Sequence, residues 1–128
     1  MYDKIRILVG VDGSLQSKRA LTEAITIAKH FSGFIKAVIV YEKGLEKKTE
    51  AIVIEAKQDL EKEKVLFAVS LILGTNPAKA LETIAKQESF DLIVVGSRGL
   101  GGKVSILLGS VSKTVVGNAY CNVLVVKK

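Results

Sequence analysis

The residues best suited to chemistry are glycines and small hydroxyl side chains in the last third of the chain. Gly96-Ser97-Arg98-Gly99 follows an apolar run, and Gly109-Ser110 stands further on, before another apolar-periodic stretch. Glycines let backbone N–H groups come close to phosphate oxygens. A helix opening at Gly109-Ser110 would add free N–H groups and a favourable dipole, and Ser110 a hydroxyl. Arg98 or Lys103 could neutralise an anion there. A second segment, Val11-Asp12-Gly13-Ser14, follows the first apolar run. Asp12 there is either a ligand contact or a turn and capping residue, a role open to Ser14 as well. The competing reading of the glycine segment is a plain connection with no ligand.

Charge supports the anion reading. The net charge is +6, yet residues 1–91 hold 14 basic and 13 acidic side chains. Residues 92–128 hold Arg98, Lys103, Lys113, Lys127 and Lys128 and no carboxylate side chain. A basic, glycine-rich segment suits an anionic ligand. Nucleic acid is a weaker reading, because no basic helix interleaved with aromatics is present. Two familiar phosphate motifs fail. A Walker A loop ending at Lys103 would need glycine where Ser97 stands and Ser or Thr where Val104 stands. The dinucleotide pattern beginning at Gly99 would need glycine at Val104.

The elements that must position these residues alternate regularly. Apolar runs at Ile5–Val9, Ile35–Tyr41, Val65–Leu73, Leu92–Val95 and Asn122–Val126 read as strands. Helical spacing marks Leu15–Phe31, where Ala20, Leu21, Ala24, Ile25, Ala28 and Phe31 share a face and Gly33 can close the helix. The segment 45–64 is densely charged but carries Ile52, Ala56 and Leu60 four apart, as a solvated helix with one apolar stripe would. Asn76-Pro77 starts a third helix with a cap and an N-terminal proline. A fourth spans Gly109–Ala119, with Leu108, Val111 and Val115 on one side.

Such βα alternation predicts an α/β fold, a doubly wound three-layer α/β/α sandwich with a five-stranded parallel sheet. The 128 residues fit one domain over 1–128. In such folds ligands bind beyond the C-terminal strand ends, near the switch in strand order. Both 2-1-3-4-5 and 3-2-1-4-5 orders bring the loops after strands one and four towards one cleft.

The spacing Gly96-x2-Gly99-x9-Gly109-Ser110 matches G-x2-G-x9-G-[ST]. With Ile7-Leu8-Val9-Gly10-Val11-Asp12-Gly13-Ser14 at the start and Asn122-Val123-Leu124-Val125-Val126 at the close, the chain resembles the universal stress protein family over essentially its whole length, in particular the ATP-binding branch. The resemblance implies the strand order 3-2-1-4-5, of the adenine nucleotide alpha hydrolase-like kind. It implies ATP, or ADP or AMP, as ligand, with Mg²⁺ held through the phosphates. Asp12 would lie near the adenosine part, and Val11 and Val40 would line the adenine pocket. Gly96 and Gly99, with Arg98, would approach ribose and phosphate, and Gly109, Ser110 and Val111 would hold the phosphates. The chain departs from the family in a short connection after strand two, Glu42-Lys43-Gly44, and in lacking a histidine near that strand's end.

Other residues read more plainly. His30 belongs to the polar end of the first helix, Cys121 is a small packing residue, and Tyr41 packs rather than stacks on a base. The last strand, 122–127, is uncharged until Lys127 and would form a sheet edge, where a two-fold copy could cover it. A homodimer is therefore expected, as the resemblance also implies. One cysteine excludes an intramolecular disulfide framework, and no apolar run reaches the ~18 residues of a membrane span. With no signal-peptide pattern at Met1–Lys4, a soluble cytoplasmic protein is expected. Asp12 is the only carboxylate in the assigned loops, so efficient hydrolysis is not expected. Two functions follow: a nucleotide-dependent stress-response regulator, or an ATP-independent dimeric interaction module of the same fold.

Overall fold

The structure is a computed structural model and describes residues 4–97 and 110–127. Its strands are β1 (Arg6–Gly10), β2 (Phe34–Tyr41), β3 (Leu66–Leu73), β4 (Leu92–Gly96) and β5 (Asn122–Val126). The helices are α1 (Leu15–Phe31), α2 (Glu46–Lys62), α3 (Pro77–Gln87) and α4 (Ser110–Asn118). All described strand pairs are parallel and the order is β3-β2-β1-β4-β5. The expected α/β sandwich and strand order are therefore found.

The two faces of the sheet hold separate cores, because side chains alternate across a strand. Ile7, Val9, Ile35, Ala37 and Ile39 point to the face covered by Leu21 and Ile25 of α1 and Leu60 of α2. Leu8, Val38, Ile93 and Val95 point to the other, covered by Leu81 and Ile84 of α3 and Val115 of α4. Both layers bury the middle of the sheet completely; Ile7, Leu8, Val9 and Ile93 have no exposed surface. At the β3 edge coverage fails, and Leu66, Leu71 and Leu73 are exposed.

Local signals act as their chemistry requires. Ser14 caps α1, its Oγ accepting from Ser17 N–H at 3.1 Å. Asn76 caps α3, its Oδ1 accepting from Lys79 N–H at 3.0 Å, with Pro77 at the first helical position. Gly33 N–H closes the end of α1 by donating to Ala28 O at 2.8 Å, but the left-handed position is not the expected one. The left-handed residue is Ser32, with φ 51°, and not Gly33. Gly33 is required by packing instead: a Cβ there would stand 2.6 Å from Ile5 Cγ2 and 2.8 Å from Ile5 O. The first and second strands can then pair from their starts, with Phe34 N–H donating to Ile5 O.

Candidate functional site

The C-terminal ends of β1 and β4 lie together at the centre of the sheet, with helices leaving to opposite faces. This is the switch in strand order. Beyond β1, Val11 N–H still donates to Val38 O, and then the chain turns. Asp12 Oδ1 accepts from Ser14 N–H at 2.9 Å, closing an Asx turn. Gly13 takes φ +86°, and a Cβ there would meet Ile52 Cδ1 of α2 at 3.0 Å. Ser17 Oγ accepts from Asp12 N–H at 3.2 Å and donates to Ser14 O at 3.1 Å. The backbone around Asp12 is thus held from both sides, and its half-buried carboxylate stands at the mouth of the switch point.

Beside it lies a cavity of about 170 Å³. Asp12 forms one wall, and Val40 and Tyr41 at the end of β2 form the floor. Gly74, Thr75 and Pro77, leading into α3, form the far side, where Gly74 N–H donates to Tyr41 O at 2.9 Å. Leu45, Lys48, Thr49 and Ile52 complete it. The short connection explains this last wall. Leu45 N–H donates to Glu42 O across a turn in which Gly44 takes φ +96°, and Glu46 accepts from Gly44 N–H. The chain therefore enters α2 at once, and the first turns of α2 close over the end of β2.

The predicted site residues fall into groups. Asp12 and Val40 share the cavity. Val11 does not line it; buried in the α1 core, it forms part of a separate cavity of about 140 Å³ between α1 and α2, crossed by a Lys18–Glu55 ion pair at 3.4 Å. Gly96 ends β4, and a Cβ there would meet Gln16 of α1 at 2.8 Å, so its bareness serves the approach of that helix. Ser110 is the first residue of α4 and is exposed. The side chain of Val111 packs into the α3–α4 core, which leaves its backbone rather than its side chain for a ligand. Arg98, Gly99 and Gly109, like Lys103 and Leu108, lie outside the described residues.

The start of α4 is anchored to the sheet by buried serines. Ser97 N–H donates to Val126 O at 2.8 Å, and Ser112 Oγ donates to Ser97 O at 3.0 Å. These bonds hold the ends of β4 and β5 and the first turn of α4 together. Ser97 and Ser112 were not among the expected site residues. Leu45, Lys48, Thr49 and Ile52 were missed as well, although Thr49 lies three before Ile52 on the apolar stripe. Glu42 also reaches the cavity wall, so Asp12 is not its only carboxylate.

His30 Nδ1 is 3.0 Å from Thr26 O at the exposed end of α1. Cys121 is half-buried; burial pushes its thiol pKa up, its own backbone hydrogen bond lowers it, and the negative charge of Asp91 raises it. Among the described residues no group of three or more His, Cys, Asp or Glu could hold a metal ion. No helix described is long and apolar enough to cross a membrane.

A parallel α/β sheet with a cavity and a helix start at its switch point defines a doubly wound architecture whose ligand site lies beyond the C-terminal strand ends. The universal stress protein family model matches residues 1–127, and the chain belongs to that family. It is 35% identical to universal stress protein MJ0531 of Methanocaldococcus jannaschii over 140 aligned positions, spanning 96% of this chain and 82% of that protein. It is 36% identical over 133 positions to a universal stress protein of Thermus aquaticus, spanning 94% of this chain and 97% of that one. A universal stress protein crystallised with cAMP superposes with a TM-score of 0.82 at 30% identity, covering 98% of both chains.

Proposed function

We propose that this chain binds ATP, ADP or AMP across the switch point and acts as a nucleotide-dependent regulator in a stress response, without efficient catalysis. The observation that carries the reading is the cavity between Asp12, Val40 and the first turns of α2. It stands at the ligand-binding end of the sheet, next to the strand ends that lead to Ser110. A related protein with cAMP bound supports an adenine nucleotide as the ligand class.

The residues fit such a ligand in kind. The apolar lining at Val40 and Ile52 suits a base, and the Asp12 carboxylate can accept hydrogen bonds from ribose hydroxyls. Ser110, at the N-terminus of α4, offers a hydroxyl and the dipole-favoured end of a helix to phosphates. Gly96, Arg98, Gly99, Gly109 and the backbone of Val111 complete the proposed phosphate side, and Val11 sits behind the base pocket as packing. Mg²⁺ would neutralise phosphate charge and enter with the nucleotide. Residues 1–128 act as one domain on this reading. The β5 edge pairs with a second copy, because an uncharged edge strand left open invites strand addition.

Native mass spectrometry of the purified protein, before and after adding Mg-ATP, tests this. The expected species is twice 13.8 kDa with one nucleotide per chain. A bare species at millimolar Mg-ATP would overturn the reading in favour of a nucleotide-independent interaction module.

A further inference from the structure

Among the described strands, β3 is an open edge without the usual protections. It is paired with β2 alone, runs for eight residues from Leu66 to Leu73, and carries no charge and no proline. None of its residues is buried. An edge of this kind adds a further strand unless charge, proline or a covering element prevents it. Side chains alternate across the strand, so the exposed Leu71 and Leu73 share the α2 face with Phe67 and Val69. Between this edge and α2 lies a cavity of about 320 Å³. Tyr41, Val53, Ile54 and Leu71 give it apolar walls, and Glu46 and Glu50 of α2 add charge.

The charges of α2 distinguish its two sides. Towards α1 they are matched within the chain: Glu55 meets Lys18 at 3.4 Å, and Glu63, just past the helix, meets Lys29 at 3.0 Å. Towards the β3 edge, Glu50 stands four residues before Ile54 and Lys57 three after it, on one stripe of the helix. Both are exposed and have no ion-pair partner among the described residues. A stripe with Glu on one side of its centre and Lys on the other is complementary to itself read backwards. Two antiparallel copies of α2 meeting at Ile54 set each Glu50 beside the other copy's Lys57, giving two ion pairs about one two-fold axis. Parallel copies would set like charges together. At the outer ends, Glu46 and Lys47 of one copy face Glu61 and Lys62 of the other, with no net charge on either side.

We propose that the β3 edge and the outer side of α2 form a self-association surface whose occupant is a second copy of this chain. β3 pairs antiparallel with β3 of that copy about Ser70. Leu71 then lies opposite Val69 and Leu73 opposite Phe67 on the α2 face, with Ala68 opposite Ile72 on the other. The same axis passes near Ile54, because Ile54 and Leu71 line one cavity. Since α2 packs over β2 and β3, it lies about one helix diameter from its copy in this arrangement. The surface stands at the opposite edge from β5 and needs no nucleotide. With the β5 pairing proposed above, it links two-chain units into larger ones. α2 also walls the cavity beside Asp12, so the two sites share one helix.

Charge exchange and cross-linking test this together. Sedimentation velocity over a range of protein concentrations gives the association constant. Glu50→Lys and Lys57→Glu each oppose like charges across the axis and should weaken association about tenfold. Mixing the two variants, or combining both changes in one chain, should restore it. Both positions are exposed, so the fold is not at stake. In a Cys121→Ala background, Ile54→Cys should be joined to itself by a short bis-maleimide, whereas Glu23→Cys, exposed on α1, should not. Cross-linking of Ile54→Cys no greater than that of Glu23→Cys would overturn the proposal. So would association that both charge variants leave unchanged, or that their mixture fails to restore. A chain that stays monomeric would overturn it too, and leave this edge to a different partner.

Discussion

Gly96 and Gln16 approach so closely that an ideal Cβ on the glycine would stand 2.8 Å from the Gln16 Cβ and 2.9 Å from its carbonyl oxygen. The end of β4 thus accepts the first turn of α1 directly, and the two loops of the candidate site share one support. Backbone cannot yield as a flexible side chain can, so Gly96→Ala should force α1 and β4 apart. The expected cost is about 1–3 kcal/mol, the range for overpacking a well-filled site. Gly117 in α4 is the contrast, with nothing within 4 Å of its ideal Cβ. Gly117→Ala should stabilise by up to about 1 kcal/mol through helix propensity. Thermal melts of the two variants should move in opposite directions.

Asp12 and Ser14 separate binding from stability. Ser14→Ala removes the α1 cap and should cost about 1 kcal/mol. Asp12→Asn keeps an oxygen to accept from Ser14 N–H, so the turn should survive with stability changed by no more than about 0.5 kcal/mol. It loses the charge that strengthens a bond to a ribose hydroxyl, and ATP affinity should fall about tenfold. Parallel denaturation and calorimetric titration of both variants check the split.

Cys121 should behave as an inert thiol. Burial, the largest cause, raises its pKa above the ordinary 9.0, so the thiolate fraction at neutral pH is lower in the folded chain than in the unfolded one. Iodoacetamide at pH 7.5 should alkylate it more slowly in buffer than in denaturant. The linkage has a definite sign. As pH rises through 9.0 the unfolded thiol loses its proton first, so the unfolded state binds fewer protons and stability falls. The contribution is fully present below that pH and is lost as pH rises through the higher folded value. Comparing denaturation midpoints of wild type and Cys121→Ala from pH 7 to 10 isolates it.

The order of elements was legible because each strand is a short apolar run and each helix carries its own start signal, as at Asn76-Pro77. Periodicity also identified most of the α1 face: Ala20, Leu21, Ala24, Ile25 and Ala28 are buried as their spacing requires, whereas Phe31, assigned to the same face, is the last residue of the helix and is exposed. What spacing could not convey is which glycines serve packing. Gly33 and Gly96 also accommodate neighbouring backbone, at Ile5 and Gln16, a requirement that nothing in their spacing reveals. The cavity wall from α2 was also hidden. Leu45, Lys48 and Thr49 belong to a segment whose charge suggests a solvated helix, and their role depends on the angle set by the Gly44 turn. Val11 illustrates the same limit, since adjacency to Asp12 does not carry its side chain into the same cavity.

On the proposed function, an adenine nucleotide occupies the cleft from the α2 wall to the start of α4. Amide chemical-shift mapping of the ¹⁵N-labelled protein titrated with Mg-ATP tests it most directly. The largest saturable shifts should fall at Asp12, Val40, Thr49, Gly96 and Ser110, with residues at the opposite end of the sheet, such as Arg6 and Phe34, unmoved. No saturable shifts at millimolar Mg-ATP, or shifts confined to surfaces away from these residues, would rule out nucleotide binding in this cleft.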